Sequence, residues 1–222
     1  MTEKDIMKAV RYHEYGDSDV LRYEDAPRPV PGPRQVVVKV AATTFNPVDA
    51  GIRGGFLAQV YDFSFPHIPG VDVSGTIAEV AEGVQDWAVG DTVVAFLPLD
   101  ADGAAAEYAQ VPAESLAAAP SSVPLADAAA LPEPALTAWQ ALFEIAGLNG
   151  GQSVLINGAS GAVGGYAFSW PSRPARWSPQ PPGSAMPSDC AHSEPTAPST
   201  TSITGSHRSR STAAPSTWCS IS

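Results

Sequence analysis

Hydrophobic positions in the first half of the chain occur in short β-branched runs that Gly and Pro separate. The clearest runs are residues 36–44, 71–80 and 91–96, and a weaker one covers 104–111. Several short strands with turn residues between them predict a small barrel or sandwich. Gly75 interrupts the second run, which predicts a β-bulge or a close backbone approach there.

The hydrophobic pattern becomes helical after Pro120. Residues 125–131 and 135–146 are rich in Ala, and Pro132 and Pro134 interrupt them. Apolar side chains recur at helical spacing in the second segment, which predicts a buried face made of Leu136, Trp139, Phe143 and Ala146. Gly147 then follows as a predicted C-cap.

A glycine-rich turn follows the next apolar run. Residues 153–157 have the composition of a buried strand, and Gly158, Gly161 and Gly164 come directly after it. A strand that leads into such a turn opens a nucleotide-binding βαβ unit, in which the glycines let the backbone approach a pyrophosphate. The helix that should follow is missing from the pattern, because Pro171 and Pro174 stop it early.

Charge and composition narrow the class of protein. The 222 residues carry a net charge of −11, which makes a nucleic-acid partner unlikely. The first residues contain no apolar signal segment, and no run is long enough to span a membrane, so we expect a cytoplasmic protein without a membrane partner. Two cysteines are too few for a disulfide framework.

The composition changes abruptly near residue 168. Residues 1–167 contain 21 acidic and 8 basic side chains, a balance of −13, whereas residues 168–222 contain 2 and 4, a balance of +2. The later segment has 14 Ser, 6 Thr and 9 Pro but no Val, Leu or Lys. A disordered Pro/Ser-rich tail is one interpretation, since few branched aliphatic residues are present to build a core.

The ordered motifs of residues 7–167 resemble the medium-chain dehydrogenase/reductases, most closely their zinc-independent quinone oxidoreductase branch. In chain order, the resemblance rests on residues 7–10, 46–55, 69–80, 89–93, 105–109, 135–139 and 158–164. It implies a mixed α/β fold with a GroES-like β-barrel domain over residues 1–124. The beginning of a Rossmann NADP-binding domain is then expected over 125–167, with an irregular tail over 168–222.

The resemblance also implies NADPH as the cofactor, bound in the cleft between the two domains, and a quinone or enone as the substrate. The expected cofactor-binding residues are those of the glycine turn, Gly158, Ala159, Ser160, Gly161, Ala162, Val163 and Gly164, together with Thr137. Thr137 has an alternative interpretation as a helix residue bonded to its own backbone. Family members often form homodimers, so we expect a homodimer if the full-length reading frame is intact.

Asn46 matches a residue of the family cleft near the nicotinamide. Its amide is predicted either to donate to a substrate carbonyl or simply to form an Asn-Pro turn. Zinc members of the family have Cys near this position and Gly-His-Glu where this chain has Gly70-Val71-Asp72. Residues 1–167 contain no Cys, so neither zinc site is expected.

Four further residues and one pair are assigned structural roles from the sequence. Asp49 and Arg53 are four residues apart, which predicts an ion pair on one helical turn. Tyr61 and Phe63 are predicted to pack in a loop, with an aromatic wall for a flat quinone as the alternative. The histidines of residues 1–167, His13 and His67, are predicted to be structural or surface residues.

A break inside a motif suggests a frameshift, and the genetic code permits a test. Read one base earlier, residues 168–172 permit V-Q-L-A-K, a helical continuation typical of the family. The genetic code determines four residues of the shifted frame completely. Trp170-Pro171 and Met186-Pro187 each require Ala, Asp189-Cys190 requires Leu, and Trp218-Cys219 requires Val. All four fit the family pattern. The hypothesis is that one base was lost near codon 168.

Two functions follow as hypotheses. The first is an oxidoreductase that transfers a hydride from NADPH to a conjugated carbonyl without zinc. As printed, residues 168–222 do not complete the nucleotide-binding sheet, so this chain is expected to be inactive. The alternative is a non-enzymatic β-barrel interaction module with a disordered tail.

Overall fold

A computed structural model describes residues 5–149 and 154–170. Their contacts separate them into two units. The first unit contains the described residues up to Glu133, and the second contains those from Pro134 to Trp170. Each unit is described by itself below. No helix among the described residues is long and apolar enough to cross a membrane.

The first unit is built from two antiparallel sheets. A two-stranded sheet pairs β1 (Ile6–Arg11) with β2 (Arg22–Pro27). A five-stranded sheet has the order β6-β3-β4-β5-β7. Its members are β3 (Gln35–Ala42), β4 (Asp72–Val80), β5 (Thr92–Phe96), β6 (Tyr108–Pro112) and β7 (Leu116–Ala118). The β-rich architecture predicted for this part of the chain is therefore confirmed.

The core of the first unit lies on the five-stranded sheet. Val36, Val37 and Val38 of β3 are all fully buried, so both faces of this strand are covered. That double burial explains why the sequence shows a continuous β-branched run here instead of an alternating one. The remaining fully buried side chains of this core include Val73, Ile77, Val93 and Val111.

Gly75 lies where β3 and β4 approach each other closely. It pairs with Val40, and the register shifts between Val40 and Ala42. A Cβ atom at position 75 would overlap the carbonyl oxygen of Lys39 and would come within 2.5 Å of the Val38 side chain. The predicted close approach with a β-bulge is therefore confirmed.

A short helix and a long connection join β3 to β4. Helix α1 (Pro47–Arg53) begins with a proline, which the first turn tolerates because its N–H would have no intrahelical acceptor. Ile52 of this helix packs with Phe63 and Val71 in a small separate core. The helix and the start of β4 are therefore held together by apolar contact.

Two predicted elements of the first unit are shorter than expected. Strand β6 begins only at Tyr108, because the N–H groups of Ala104 and Ala105 donate to the carbonyls of Gly70 and Pro69. The expected helix over 125–131 is one 3₁₀ turn, Asp127–Ala130. Pro124 precedes it and Pro132 begins a new helix, which leaves too few residues for an α-helix.

The second unit contains the helical segment from Pro134 onward and the glycine turn, since the boundary between the units falls in the first turn of the helix. Helix α2 (Pro132–Trp139) leads directly into a π-helical stretch, Gln140–Ile145, and Gly147 follows with a φ of +60°. The C-cap is Ala146, one residue earlier than predicted, and Gly147 takes the left-handed position directly after it, where glycine is favoured. Pro132 and Pro134 do not interrupt the helix as expected, since both lie in its first turn, where proline removes no intrahelical hydrogen bond.

The buried face of this helical segment differs from the prediction. Ala138 and Leu142 are fully buried against Ala167, while Leu136 is 47% exposed. Ala138 and Leu142 are four residues apart, so the spacing is helical as predicted, but the buried face is turned away from Leu136. Trp139 and Phe143 still lie together, with ring centroids 4.4 Å apart.

The predictions on either side of the glycine turn are wrong in opposite ways. Residues 154–157 form no strand, because a parallel strand needs neighbours and no described segment pairs with it. Conversely, the helix thought to be missing is present as α3 (Ala162–Ser169). It starts inside the glycine motif and ends two residues before Pro171. The frameshift hypothesis concerns mainly residues 171–222, which lie outside the described residues.

Candidate active site

Asn46 occupies the N-cap of α1 and is 7% exposed. Its side-chain amide donates to Asp72 Oδ2 at 2.8 Å and to Thr44 Oγ1 at 3.3 Å. Its backbone N–H donates to Asp49 Oδ2 at 2.7 Å. Asn46 therefore forms the predicted turn, and its amide is also part of a buried polar cluster.

Asp72 is the centre of that cluster. This carboxylate is fully buried at the start of β4. Its Oδ2 accepts from the Thr44 hydroxyl at 2.5 Å as well as from Asn46, and its Oδ1 accepts from the Glu133 N–H at 2.8 Å. Three donors thus replace water around one buried carboxylate, two from the connection before α1 and one from the start of α2, and such burial requires partners of this kind.

Asp49 lies beside this cluster and connects two stretches of backbone. Its Oδ1 accepts from the N–H groups of Gly70 at 3.0 Å and Val71 at 3.1 Å. Burial raises the pKa of Asp49, and the three backbone N–H donors oppose that rise. The carboxylate connects the N-cap of α1 to the turn before β4, so it fixes the backbone on both sides of the cluster.

The predicted ion pair between Asp49 and Arg53 is wrong. Asp49 points toward backbone N–H groups, which satisfy a buried carboxylate without burying a second charge. The Arg53 Nε instead donates to the carbonyl of Gly16 at 3.2 Å. Tyr61 and Phe63 pack around Ile52, with their ring centroids 5.9 Å apart, which confirms the packing interpretation of that pair.

Both histidines have structural surroundings. His13 is exposed and bonds Glu24 through Nε2 at 2.8 Å. His67 is 5% exposed, and its ring contacts Tyr12 and Phe63 edge-on. Burial lowers the pKa of His67, which favours the neutral ring. Their predicted structural roles are confirmed. Among the described residues, no three His, Cys, Asp or Glu side chains are grouped to hold a metal ion.

The glycine turn of the second unit has a geometry that depends on glycine at two positions. Gly158 has a φ of +75°, and a Cβ atom at Gly164 would overlap the carbonyl oxygen of Gly158. Gly161 is the N-cap of α3, and its N–H donates to Gly158 O at 2.9 Å. The turn folds tightly onto the first turn of α3, which brings the residues predicted for the cofactor together.

The outer side of this turn is open to solvent. Ala159, Ser160 and Ala162 are exposed, whereas Val163 is partly buried and Gly164 is buried under the turn. The first N–H groups of a helix have no intrahelical acceptor and carry positive partial charge. The N-terminal end of α3 can therefore receive an anionic group.

Thr137 lies on α2 and is exposed. It belongs to the same unit as the glycine turn, whereas Asn46 belongs to the first unit. The structure thus groups the seven turn residues in one feature and places Thr137 on another element of the same unit. Their proposed roles in binding remain predictions.

Sequence reasoning did not identify Thr44 or Asp72 as functional residues. A signal for Asp72 is present, because it is a charged residue directly between two valines, Val71 and Val73, at the start of a strand-like run. A charge in such a run needs buried partners. No comparable signal marks Thr44, whose role depends on β3 and β4 lying side by side.

The first unit matches a known domain family. Residues 32–121 match the alcohol dehydrogenase GroES-like domain. The chain is 39% identical over 168 residues to the chloroplastic quinone-oxidoreductase homolog of Spinacia oleracea, covering 73% of this chain and 51% of that protein. It is 37% identical over 164 residues to the quinone oxidoreductase of Rattus norvegicus, covering 73% and 49%. The chain spans about half the length of the curated relatives it matches.

Solved structures agree with these relatives. The quinone oxidoreductase from Coxiella burnetii superposes with a TM-score of 0.67 at 29% identity, covering 75% of this chain and 53% of that one. An alcohol dehydrogenase superfamily protein from Novosphingobium aromaticivorans gives 0.68 at 33% identity, covering 74% and 50%. The chain belongs to the medium-chain dehydrogenase/reductase superfamily of oxidoreductases, on its quinone oxidoreductase branch.

Proposed function

We propose that the chain derives from an oxidoreductase that transfers a hydride from NADPH to a quinone, enone or similar conjugated carbonyl without zinc. The observation that carries this proposal is the glycine turn at the start of α3. The printed names of the quinone oxidoreductase relatives support the substrate class.

The residues of the turn fit the pyrophosphate of a dinucleotide. Gly158 adopts a φ that glycine favours, and no atom lies within 4 Å of the place where its Cβ would be. Backbone can therefore approach a ligand there without a side chain in the way. The N–H groups of Ala162 and Val163, at the open end of α3, are the donors that would meet the phosphates.

A bound nicotinamide dinucleotide supplies the hydride, and the chain supplies orientation and hydrogen-bond donors. Asn46 is the donor we assign to the substrate carbonyl. Asp72 Oδ2 at 2.8 Å and Thr44 Oγ1 at 3.3 Å lie on the same side of the amide nitrogen, because these two oxygens are hydrogen-bonded to each other, so they engage one and the same amide hydrogen. The second hydrogen is the one available for a substrate, where it would stabilise the developing negative charge.

The side chains present at the expected zinc positions support a metal-free reaction. Val71 stands where zinc members of the family have His, and it packs against Ile52 and Phe63. Asp72 stands at the Glu position, and its oxygens already accept three hydrogen bonds. Neither residue type nor environment is suited to a zinc ligand set of nitrogen and sulfur.

NADPH in preference to NADH rests on the family resemblance. The residues that recognise the ribose lie at the end of the second strand of such a domain. That strand would fall after residue 167, mostly outside the described residues. We therefore propose that the 222-residue chain binds the dinucleotide weakly or not at all, and that a product read in the restored frame binds it.

The test compares two proteins, the 222-residue chain and the product of its locus read in the restored frame. Each is titrated with NADPH and NADH by fluorescence, and quinone-dependent oxidation of the nucleotide is followed by absorbance. We expect saturable binding and turnover only with the restored product. Micromolar saturable binding by the 222-residue chain would contradict its proposed inactivity. A folded restored product that binds neither nucleotide would contradict the oxidoreductase proposal.

Asn46→Ala in the restored product tests the donor role. Loss of one such donor lowers kcat by roughly 100-fold in comparable sites, with a smaller effect on KM. Asn149→Ala, in an exposed position of the second unit, is the matched control and should leave both constants unchanged. An unchanged kcat in Asn46→Ala would remove Asn46 from the mechanism.

A further inference from the structure

Three buried polar side chains line one small cavity in the first unit. Tyr12 is 0% exposed, Asp49 is 3% exposed and His67 is 5% exposed. The cavity measures about 10 Å³, and Pro69, Gly70 and Val71 contribute to its wall. No role in the proposed reaction accounts for Tyr12 or for this space.

The backbone holds Tyr12 and His67 side by side at the cavity. The Tyr12 N–H donates to the His67 carbonyl at 3.0 Å, and the His67 N–H donates to the Tyr12 carbonyl at 2.9 Å. Their ring centroids are 5.3 Å apart. This reciprocal pair fixes the two backbones side by side, and the complete burial of the Tyr12 side chain keeps its hydroxyl in the interior.

The Tyr12 hydroxyl has no hydrogen-bond partner among the described residues, although it is buried. Burying a hydroxyl without a partner is unfavourable, and a phenylalanine would fill the same space without that cost. A tyrosine here therefore indicates a partner that the polypeptide itself does not provide.

The Asp49 carboxylate retains the capacity to accept another hydrogen bond. Oδ1 accepts from Gly70 and Val71 and Oδ2 accepts from Asn46, whereas a carboxylate offers about four acceptor positions. Three carbonyls of the cavity wall are already engaged: those of Pro69, Gly70 and Val71 accept from Ala105, Ala104 and Leu97. Asp49 is thus the strongest acceptor left at the cavity.

The size of the cavity selects the occupant. A single water needs roughly 10–15 Å³ together with two or more polar partners, and both conditions are met here. We propose that one internal water occupies this cavity, accepting from the Tyr12 hydroxyl and donating to the Asp49 carboxylate. The water completes the set of donors around the carboxylate that anchors α1 to the turn before β4.

Water-oxygen (¹⁷O) relaxation dispersion of the full chain tests the proposal, because it counts long-lived waters and is insensitive to exchange of hydroxyl protons. Tyr12→Phe should lower the dispersion amplitude by the contribution of one water. Tyr15→Phe, whose ring also packs against Phe65 but lies outside the cavity wall, should leave it unchanged. Equal amplitudes in the parent chain and Tyr12→Phe would overturn the proposal.

Urea unfolding of the same variants gives a second, independent result. If the hydroxyl has no partner, Tyr12→Phe relieves an unfavourable burial and raises the unfolding midpoint. If a water joins it to Asp49, the variant deprives the carboxylate of a donor, so the midpoint stays the same or falls. A raised midpoint in Tyr12→Phe would overturn the proposal.

Discussion

The Asn46 amide and the Asp72 carboxylate are joined by a 2.8 Å hydrogen bond, although the residues are 26 positions apart. An ionised carboxylate can only accept, so the bond determines which end of the Asn46 amide faces β4. Asp72 thereby controls the orientation of the group to which we assign substrate contact. Predictions about stability and about the site both follow from this cluster.

Replacing Asp72 should destabilise the first unit strongly. Asp72→Ala leaves the Thr44 hydroxyl, the Asn46 amide and the Glu133 N–H without their acceptor. We expect the free energy of unfolding to fall by about 3 kcal/mol or more. Urea denaturation of the full chain measures it. Asp62→Asn, at an exposed position, is the control, and equal stability of the two variants would contradict the network.

Gly75→Ala should also be strongly destabilising, for a steric reason. The new methyl group would overlap the Lys39 carbonyl across the strand pair, where the backbone has little freedom to move. We expect a loss of about 2–3 kcal/mol. Gly51→Ala in α1, where no atom lies within 4 Å of the new methyl group, should instead gain roughly 0.5–1 kcal/mol. Similar effects at both positions would argue against the close approach.

Adjacent glycines of α3 should respond in opposite directions. Gly164→Ala forces the turn away from the helix, because its methyl group would overlap Gly158. Gly165→Ala has only one neighbouring atom, 4.0 Å away, and should favour the helix by roughly 0.5–1 kcal/mol. Hydrogen exchange of the α3 amides should therefore become faster in the first variant and slower in the second. The same change in both would contradict the packing of the turn.

His67 should make the stability of the first unit depend on pH. Burial lowers its pKa in the folded state below the unfolded value of 6.5. The contribution of the neutral His67 ring to the free energy of unfolding is therefore complete above the pKa of the unfolded state. It is lost as the pH falls through the pKa of the folded state. Between about pH 7.5 and about pH 5.5, His67→Gln should lose less stability than the parent chain. His13→Gln, at an exposed position, serves as the control. If His67→Gln loses as much stability over this pH range as the parent chain, His67 is not the cause of the pH dependence.

Sequencing the locus tests the frameshift. We expect a reading frame shifted by one base near codon 168 to run open well beyond codon 222. The residues that the genetic code determines completely, such as Ala from Trp170-Pro171 and Val from Trp218-Cys219, already satisfy the family pattern. Stop codons that interrupt the shifted frame, together with confirmation of the printed one, would end the hypothesis.

The sequence predicts most of the first unit because its strands are specified locally. The β-branched run at 36–44 and the glycine at 75 each carry a signal that the structure confirms as β3 and a bulge. The expected strand over 153–157 failed for a non-local reason. Its apolar composition is suitable for a buried strand, but pairing depends on segments elsewhere in the chain.

The polar cluster around Asp72 also depends on contacts between segments that are distant in the sequence. Asn46 was identified from its motif, yet the acceptor that orients it belongs to another strand. The Asp49–Arg53 pair was predicted from spacing on one helix, whereas the backbone of residues 70 and 71, brought close by the fold, supplied better partners. Spacing describes neighbours along a helix, and it carries no information about groups that arrive from a distant segment.

Asp49 joins the start of α1 to the turn before β4, and residues 50–69 run between these two points. In polymer terms the carboxylate closes a loop whose ends stay fixed. Because the entropy of closing a loop changes slowly with its length, residues can be added at small cost in its exposed part, residues 58–60, away from the buried Phe63 and His67. The loop is therefore a place where related proteins can diverge in length and composition while Asn46 keeps its position.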